Sequence, residues 1–471
     1  MTSFIARGLA VAALSLQTLA GLAAEDEADR AIAGVMTEFV KPGEPGCTVG
    51  AARGGALTHA LAFGLADLEN GKPLDPHSII NLASVSKQFT AFALLLLEQD
   101  GKLKLDDPVV KYLPELAKSA QGVTLRHLLH HTGGLRDYIE MLYMKGRGDA
   151  DGSTIDEAFR SLARQTAPNA PAGVEYEYSN TGFFLLGVVI ARVSGESLAE
   201  FSRKRIFEPL GMKNTSIVDS YPAAIPALAR GYAKSGAGFR IDETGWEQVG
   251  DGQVHSDLYD LALWDENFYT AKLGGRALID RMQEVGVLNS GKAIDYAAGL
   301  VINEWRGLRW VRHGGSWVGY RSNISRVPSE HLSVIVLCNR ADADTGALAT
   351  KIAEIFLKDK IGPPEPDPED EAEPAPVAAA WQPGNLSRFA GAYYSQEADV
   401  RCLLDERGGE LYLETCAEGE RLAPGKPGEF VTESGGLTLK FPPGGADTGS
   451  FIYWSSGLRG LPFHRVKESS E

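Results

Sequence analysis

The sequence predicts an α+β body followed by a small all-β domain. Three observations carry that reading. Strand patterns stand at both ends of residues 25–361, with helical patterns between them. An acidic, Pro-rich stretch interrupts the chain at 362–383. Beyond it, residues 384–471 hold only short strand-like runs broken by Gly and Pro.

The chain opens with one cation, Arg7, and an apolar stretch from Gly8 to Ala23 that ends in the small residues Ala20-Gly21-Leu22-Ala23-Ala24. This is the three-part pattern of a secretory signal peptide over residues 1–24. Gln17 interrupts the stretch, which falls short of the roughly 20 apolar residues of a spanning helix. The expectation is cleavage near Ala20–Ala24, no stable membrane anchor, and a soluble periplasmic or secreted protein.

Residues 26–40 pattern as a helix, and 47–66 as two strands joined at Arg53-Gly54-Gly55. A helix over 84–100 carries the apolar run Phe89 to Leu97 and closes at Asp100-Gly101. Helical patterns follow at 124–131, 155–166, 180–194 and 197–208. Met141 to Thr154, with Gly146, Gly148 and mixed charges, reads as a mobile loop at a cleft rim. Strand patterns return at 296–304, 308–313, 316–327 and 331–339, and a last amphipathic helix covers 344–357. That order gives an antiparallel sheet assembled from both ends with a helical insertion between. The tail reads as a β-sandwich or barrel.

Composition narrows the function. The chain has 471 residues, with 46 Lys+Arg against 62 Asp+Glu and a net charge of −16. A nucleic-acid partner needs a basic surface, so that class is excluded. Much of the excess is local: Glu365, Asp367, Glu369, Asp370, Glu371 and Glu373 all lie in the linker. Hydrophobic residues at 44% and charged residues at 23% exclude bulk disorder. Four Cys are too few for a disulfide scaffold, but export places them in an oxidising compartment. Cys402 and Cys416 lie symmetrically about Gly409, flanking a hairpin that turns at Arg407-Gly408-Gly409. Cys47 and Cys338 each sit in a strand-like segment. A bridge in either pair and four buried thiols both remain open.

Three short motifs carry the chemistry. Ser84-Val85-Ser86-Lys87 is the chain's one S-x-x-K, at the start of the long apolar helix. Residues i and i+3 share a helix face, so Lys87 can approach the Ser84 hydroxyl. A Ser hydroxyl needs such a base to become a nucleophile. The bland alternative is Ser84 as a helix cap and Lys87 on a solvated face. Tyr178-Ser179-Asn180 is the one Y-x-N, before the apolar helix that begins near Phe183. A Tyr there can shuttle protons, and Asn180 can orient Lys87 or a substrate amide; the alternative is a buried Tyr and a capping Asn. His313-Gly314-Gly315 ends one strand pattern and enters Ser316-Trp317-Val318-Gly319-Tyr320. Glycines let a substrate lie along the strand edge, and the N–H of Ser316 can join that of Ser84 as an oxyanion hole. Trp317 and Tyr320 are candidate pocket walls beside Gly314 and Gly315; the equal alternative is that alternate residues there are core.

In this order the motifs resemble those of the penicillin-recognising serine hydrolase superfamily, marked by S-x-x-K, then S-D-N or Y-x-N, then K-T-G. The Y-x-N and H-G-G forms point to the branch of class C β-lactamases, D-aminopeptidases and related esterases. The resemblance covers roughly residues 30–358, and Thr124–Leu135, Phe207–Met212 and His313–Asn339 support it. It implies an antiparallel sheet flanked by helices, an all-helical lobe, and an active site between them. It implies Ser84 as the acylated nucleophile, Lys87 as its activator, and Tyr178 as proton relay. It further implies Asn180 holding Lys87 and the substrate, and His313 hydrogen-bonded to Tyr178. No cofactor is implied. The tail resembles the β-barrel of D-aminopeptidase-like hydrolases, which can approach the cleft; here the acidic linker suggests a loose tether.

His313 stands where β-lactamases and penicillin-binding proteins carry Lys. A neutral His offers less attraction for a carboxylate, which favours an ester, an amide or an amino-terminal D-residue peptide. On this reading His313 must be neutral for turnover, with an acid limb near pH 6–7. The expected partner is a small-molecule or peptide substrate, peptidoglycan fragments included. β-Lactamase or D,D-carboxypeptidase activity is the alternative among enzymes, and a non-catalytic binding or assembly protein the alternative outside them. His127, His130 and His131 invite a metal reading, but no acidic or Cys partner stands at ligand spacing.

Overall fold

The computed structural model describes residues 27–221, 224–363, 381–416, 419–442 and 448–466. The expected leader at 1–24 and most of the expected linker at 362–383 lie outside the described residues. A six-stranded antiparallel sheet organises the body. Its strands in chain order are β1 Cys47–Arg53, β2 Ala56–Phe63, β3 Val301–Trp305, β4 Leu308–Trp317, β5 Tyr320–Val327 and β6 Leu332–Cys338. Their spatial order is β3-β4-β5-β6-β1-β2, so the two ends of the body meet where β1 pairs with β6. Cys47 and Cys338 face each other in that register and are bridged.

Strand β6 is buried along its whole length, which fits an apolar run covered on both faces. Its residues alternate sides. Val334, Val336 and Cys338 pack with Ile32 and Met36 of the 27–39 helix and with Ile352 and Leu357 of Thr345–Leu357. Ile335 and Leu337 face the larger core, where Leu258 and Leu261 of Leu258–Thr270 lie. The chain between β2 and β3 supplies the helical lobe. Its centre is Lys87–Gln99 against Asn180–Ser194, two helices buried on nearly every side.

Several elements differ from the sequence reading. Leu258–Thr270 and Gly275–Met282 are helices that the hydrophobic pattern missed. In the first, Asp260 and Asp265 are buried and bonded to Thr215 and Arg326, so charge on the inner face hides the periodicity. The expected loop at 141–154 begins as the helix Tyr138–Met144, capped by the Asp137 carboxylate on the N–H groups of Ile139 and Glu140. His127 and His131 do not share a helix face, because that helix ends at Leu129 and His131 takes a φ of +56°.

The tail is a closed barrel of eight strands, β7 Gly391–Ser395, β8 Val400–Arg407, β9 Glu410–Leu413, β10 Glu420–Pro424, β11 Glu429–Thr432, β12 Leu437–Lys440, β13 Ser450–Ser455 and β14 Leu461–Arg465. Phe389, Tyr393, Phe430, Phe441, Phe451 and Phe463 are buried in it, as expected for a small barrel filled by side chains. Cys402 and Cys416 are bridged. The barrel is docked, contrary to the loose tether expected from the linker. The buried Arg136 guanidinium on the helical lobe bonds Glu397 at 2.6 Å and the carbonyl of Gly460 at 2.9 Å. A buried Arg satisfied from both sides makes a specific seam.

Candidate active site

Ser84 lies in a single 3₁₀ turn, Ala83–Ser86, that leads into the helix starting at Lys87. Ala83 has a φ of +46°, a conformation that non-glycine residues rarely hold. Asn81 Oδ1 accepts the Ala83 N–H at 2.8 Å, and Ser86 Oγ accepts the N–H of Val254 at 3.0 Å. Strain sustained this way presents the following side chain to the cleft. In a 3₁₀ turn i and i+3 eclipse, so Lys87 Nζ stands 3.1 Å from Ser84 Oγ. The bland readings fail: neither Ser84 nor Asn180 caps a helix, and Lys87 is fully buried.

Lys87 Nζ has two further acceptors, Asn180 Oδ1 at 2.8 Å and the carbonyl of Asp251 at 2.8 Å. With a neutral amine, two N–H groups satisfy these acceptors and the lone pair is left for the Ser84 hydroxyl. That arrangement suits a general base. The Tyr178 ring centroid lies 5.0 Å from Nζ, and the residue is 42% exposed in the open cleft. Tyr178 is held from behind. The His131 ring sits 4.3 Å from it, and His131 Nδ1 accepts the Ser179 N–H at 3.1 Å. That bond fixes His131 as the neutral Nε2–H tautomer, and complete burial holds its basicity far below the usual imidazole range.

Strand β4 continues through His313, Gly314 and Gly315 to Trp317, rather than ending at His313. β3 pairs only as far as Arg312, so residues 313–317 offer an edge beyond the end of β3. Ser316 and Trp317 line the cavity at Ser84 together with Tyr138, Ile139, Trp246 and Asp251. Gly315 does not line it. A Cβ there would strike the Leu82 carbonyl, so the missing side chain lets β4 pack on the nucleophile turn. Tyr320 is likewise no pocket wall: it is buried, and its hydroxyl donates to the Ala229 carbonyl at 3.0 Å. Gly314 is exposed.

His313 is not bonded to Tyr178; their ring centroids lie 6.2 Å apart. Its Nε2 pairs instead with the Tyr296 hydroxyl at 3.0 Å, and its Nδ1 with the Gly314 carbonyl at 2.6 Å. Burial, and then the charge of Lys87, push the His313 pKa down to about 3. His313 is therefore neutral at working pH, and an acid limb near 6–7 is not its own. The other histidines of the cluster have structural partners. His127 Nδ1 accepts the Thr124 N–H in a capping box, and His130 Nδ1 pairs with the Tyr296 carbonyl.

Tyr296, Asp251, Tyr138 and Trp246 join the site without having been singled out in the sequence. Gly250-Asp251-Gly252 was the one local signal, a turn placing an acid between two glycines. The barrel reaches the cleft as well. Ser456 and Gly457 help line the cavity in front of Tyr178 and Asn180.

The sequence profile of the Beta-lactamase family matches residues 28–356. Penicillin-binding protein 4* of Bacillus subtilis is 31% identical over 432 residues, covering 87% of this chain and 93% of that protein. A D-aminopeptidase of Brucella anthropi is 31% identical over 322 residues, covering 66% of this chain; the chain spans 59% of that enzyme's length. The solved octameric penicillin-binding protein homologue from Pyrococcus abyssi superposes with a TM-score of 0.62 at 23% identity, covering 93% of this chain and 99% of that one.

Proposed function

The chain belongs to the Beta-lactamase family of serine hydrolases, and from that premise we propose that it is an exported hydrolase of the D-aminopeptidase or esterase type, cleaving an amide or ester through an acyl-enzyme on Ser84. One observation carries the reading: a fully buried Lys87 with Ser84 Oγ, Asn180 Oδ1 and the Asp251 carbonyl as its three neighbours. Ser84 Oγ attacks the carbonyl carbon while Lys87 takes its proton. The N–H groups of Ser84 and Ser316 receive the oxyanion. The C–N or C–O bond then breaks, and the leaving group takes a proton relayed through Tyr178. Water, activated by Tyr178 with Lys87, releases the acid and restores the serine.

β-Lactamase and D,D-carboxypeptidase activity form the second reading. A His313 that stays neutral down to about pH 3 argues against it, since it offers a carboxylate no charge. Export is supported by the leader pattern and by two disulfides. N-terminal sequencing of the protein from a periplasmic fraction tests it.

Intact-mass analysis after a fluorophosphonate tests the nucleophile. An adduct on the wild type and none on Ser84→Ala is expected. No adduct with it or with a fluorescent penicillin would sink the catalytic reading in favour of a binding protein. A panel of p-nitrophenyl esters, D-aminoacyl p-nitroanilides and nitrocefin then ranks the substrates.

A further inference from the structure

Two buried acceptor atoms on residues that line the Ser84 cavity have no hydrogen-bond donor among the described residues. Asp251 is 7% exposed; its Oδ2 accepts from the Tyr138 hydroxyl at 2.8 Å, while its Oδ1 is unpartnered. Gln248 is 3% exposed, and its Oε1 is likewise unpartnered. The Gln248 amide cannot be turned over to hide that oxygen. Its Nε2 donates to the Thr154 carbonyl at 2.7 Å, an acceptor that requires nitrogen there, and to Ser153 Oγ at 3.0 Å. Gln248 and Asp251 both line the cavity that holds Ser84.

A buried carboxylate with one side-chain donor and a buried amide oxygen with none are costly to leave so. A group that brings several N–H donors and a positive charge satisfies both at once. The neighbouring Lys87 amine is already committed, because its Nζ has Ser84 Oγ, Asn180 Oδ1 and the backbone carbonyl of Asp251 as partners. That last bond also ties Asp251 to the base beside the nucleophile. An α-ammonium group sits two bonds from the carbonyl carbon that Ser84 attacks, so the two positions suit one small substrate. The wall also has an apolar part, formed by Ile139 and the Trp246 and Trp317 rings, whose centroids lie 5.4 Å apart.

We propose that Asp251 and Gln248 form the subsite for a substrate's free ammonium group, so that the enzyme selects an unacylated α-amino amide or ester. The proposal rests on the hydrolase reading and names the substrate class of that same site. Burial raises the Asp251 pKa and Lys87 opposes the rise; a bound ammonium acts in the same sense as Lys87.

The test compares D-alanine p-nitroanilide with N-acetyl-D-alanine p-nitroanilide on the full chain, with p-nitrophenyl acetate as a neutral control. The expected wild-type preference for the free amine is about 10-fold or more in kcat/KM, the scale of a desolvated charge contact. Asp251→Asn keeps an acceptor for Tyr138 and removes the charge; it should bring the free-to-acetylated ratio toward one. Gln248→Leu should lower the same ratio. The ratio cancels general damage to either variant. A second measurement needs no variant: D-alanine amide should inhibit ester hydrolysis at concentrations where propionamide does not. Ester turnover with no preference for the free amine overturns the subsite and leaves the hydrolase standing. Absence of ester turnover together with absence of a fluorophosphonate adduct overturns the hydrolase reading beneath it.

Discussion

Arg459 of the barrel pairs with Glu177 at 3.0 Å, and Glu177 immediately precedes Tyr178 in the chain. The same guanidinium bonds Glu175 at 2.5 Å, and the Arg459 N–H is received by Asn169 at 2.7 Å. The Asp137 N–H and the Asn169 amide both donate to the Gly457 carbonyl. The barrel loop thus grips the segment that presents Tyr178. Arg459→Ala should lower kcat by roughly 10-fold with little change in KM, because a small displacement of a reacting group is expensive. Fluorophosphonate labelling of Ser84 should persist. A chain ending at Lys360 should show the same loss. Unchanged turnover in both would show that the seam only holds the domains together.

His131 supports Tyr178 from the opposite side through its ring and through the Ser179 N–H. His131→Phe keeps the ring contact and removes the acceptor. The unpaired N–H should cost about 1–3 kcal/mol. We expect reduced kcat, preserved Ser84 labelling, and partial recovery in His131→Gln. Equal loss in both variants would assign the effect to general packing.

His313 should stay neutral through the working range. Its pKa lies near 3, below that of an unperturbed imidazole, so the neutral form persists on acidification and the cation forms only near pH 3. NMR titration of the imidazole should show no ionisation of His313 between pH 8 and pH 4. A His313 resonance titrating at pH 6–7 would contradict this burial argument and restore an acid limb there.

Lys87→Met removes the base from the hydroxyl while filling the buried space. Acylation of Ser84, followed by intact mass, should slow by about 10²–10⁴-fold, the usual contribution of a positioned base. Labelling at the wild-type rate would mean that another group takes the Ser84 proton.

The Cys47–Cys338 bridge closes a sequence separation of 291 residues between β1 and β6. Replacing both by Ala should lower stability by about 2–4 kcal/mol in denaturant titration. Turnover at low temperature should survive, since neither residue lines the site. Unchanged stability would show that the apolar packing of β6 suffices.

The chemistry was legible in the sequence to a large degree, because its motifs are local. Ser84 with Lys87, and Tyr178 with Asn180, are spaced by backbone geometry, and the structure places all four around one cleft. Gly315, Tyr320 and the role of His313 were misread, because each depends on what packs against β4 and β5 from elsewhere in the chain. The helix Leu258–Thr270 escaped notice because its buried acids have partners distant in sequence.

The sequence alone determined the strands at both ends of the body, most of the helices between them and the hydrolase motifs, since these follow from periodicity and short-range spacing. Only the tertiary structure decided which residues share the cleft. It closed β1 onto β6, buried Lys87, brought Asp251 and Gln248 to Ser84, and set the barrel loop against Glu177. Those contacts join residues far apart along the chain, and their energies depend on burial and on partners that no local pattern encodes.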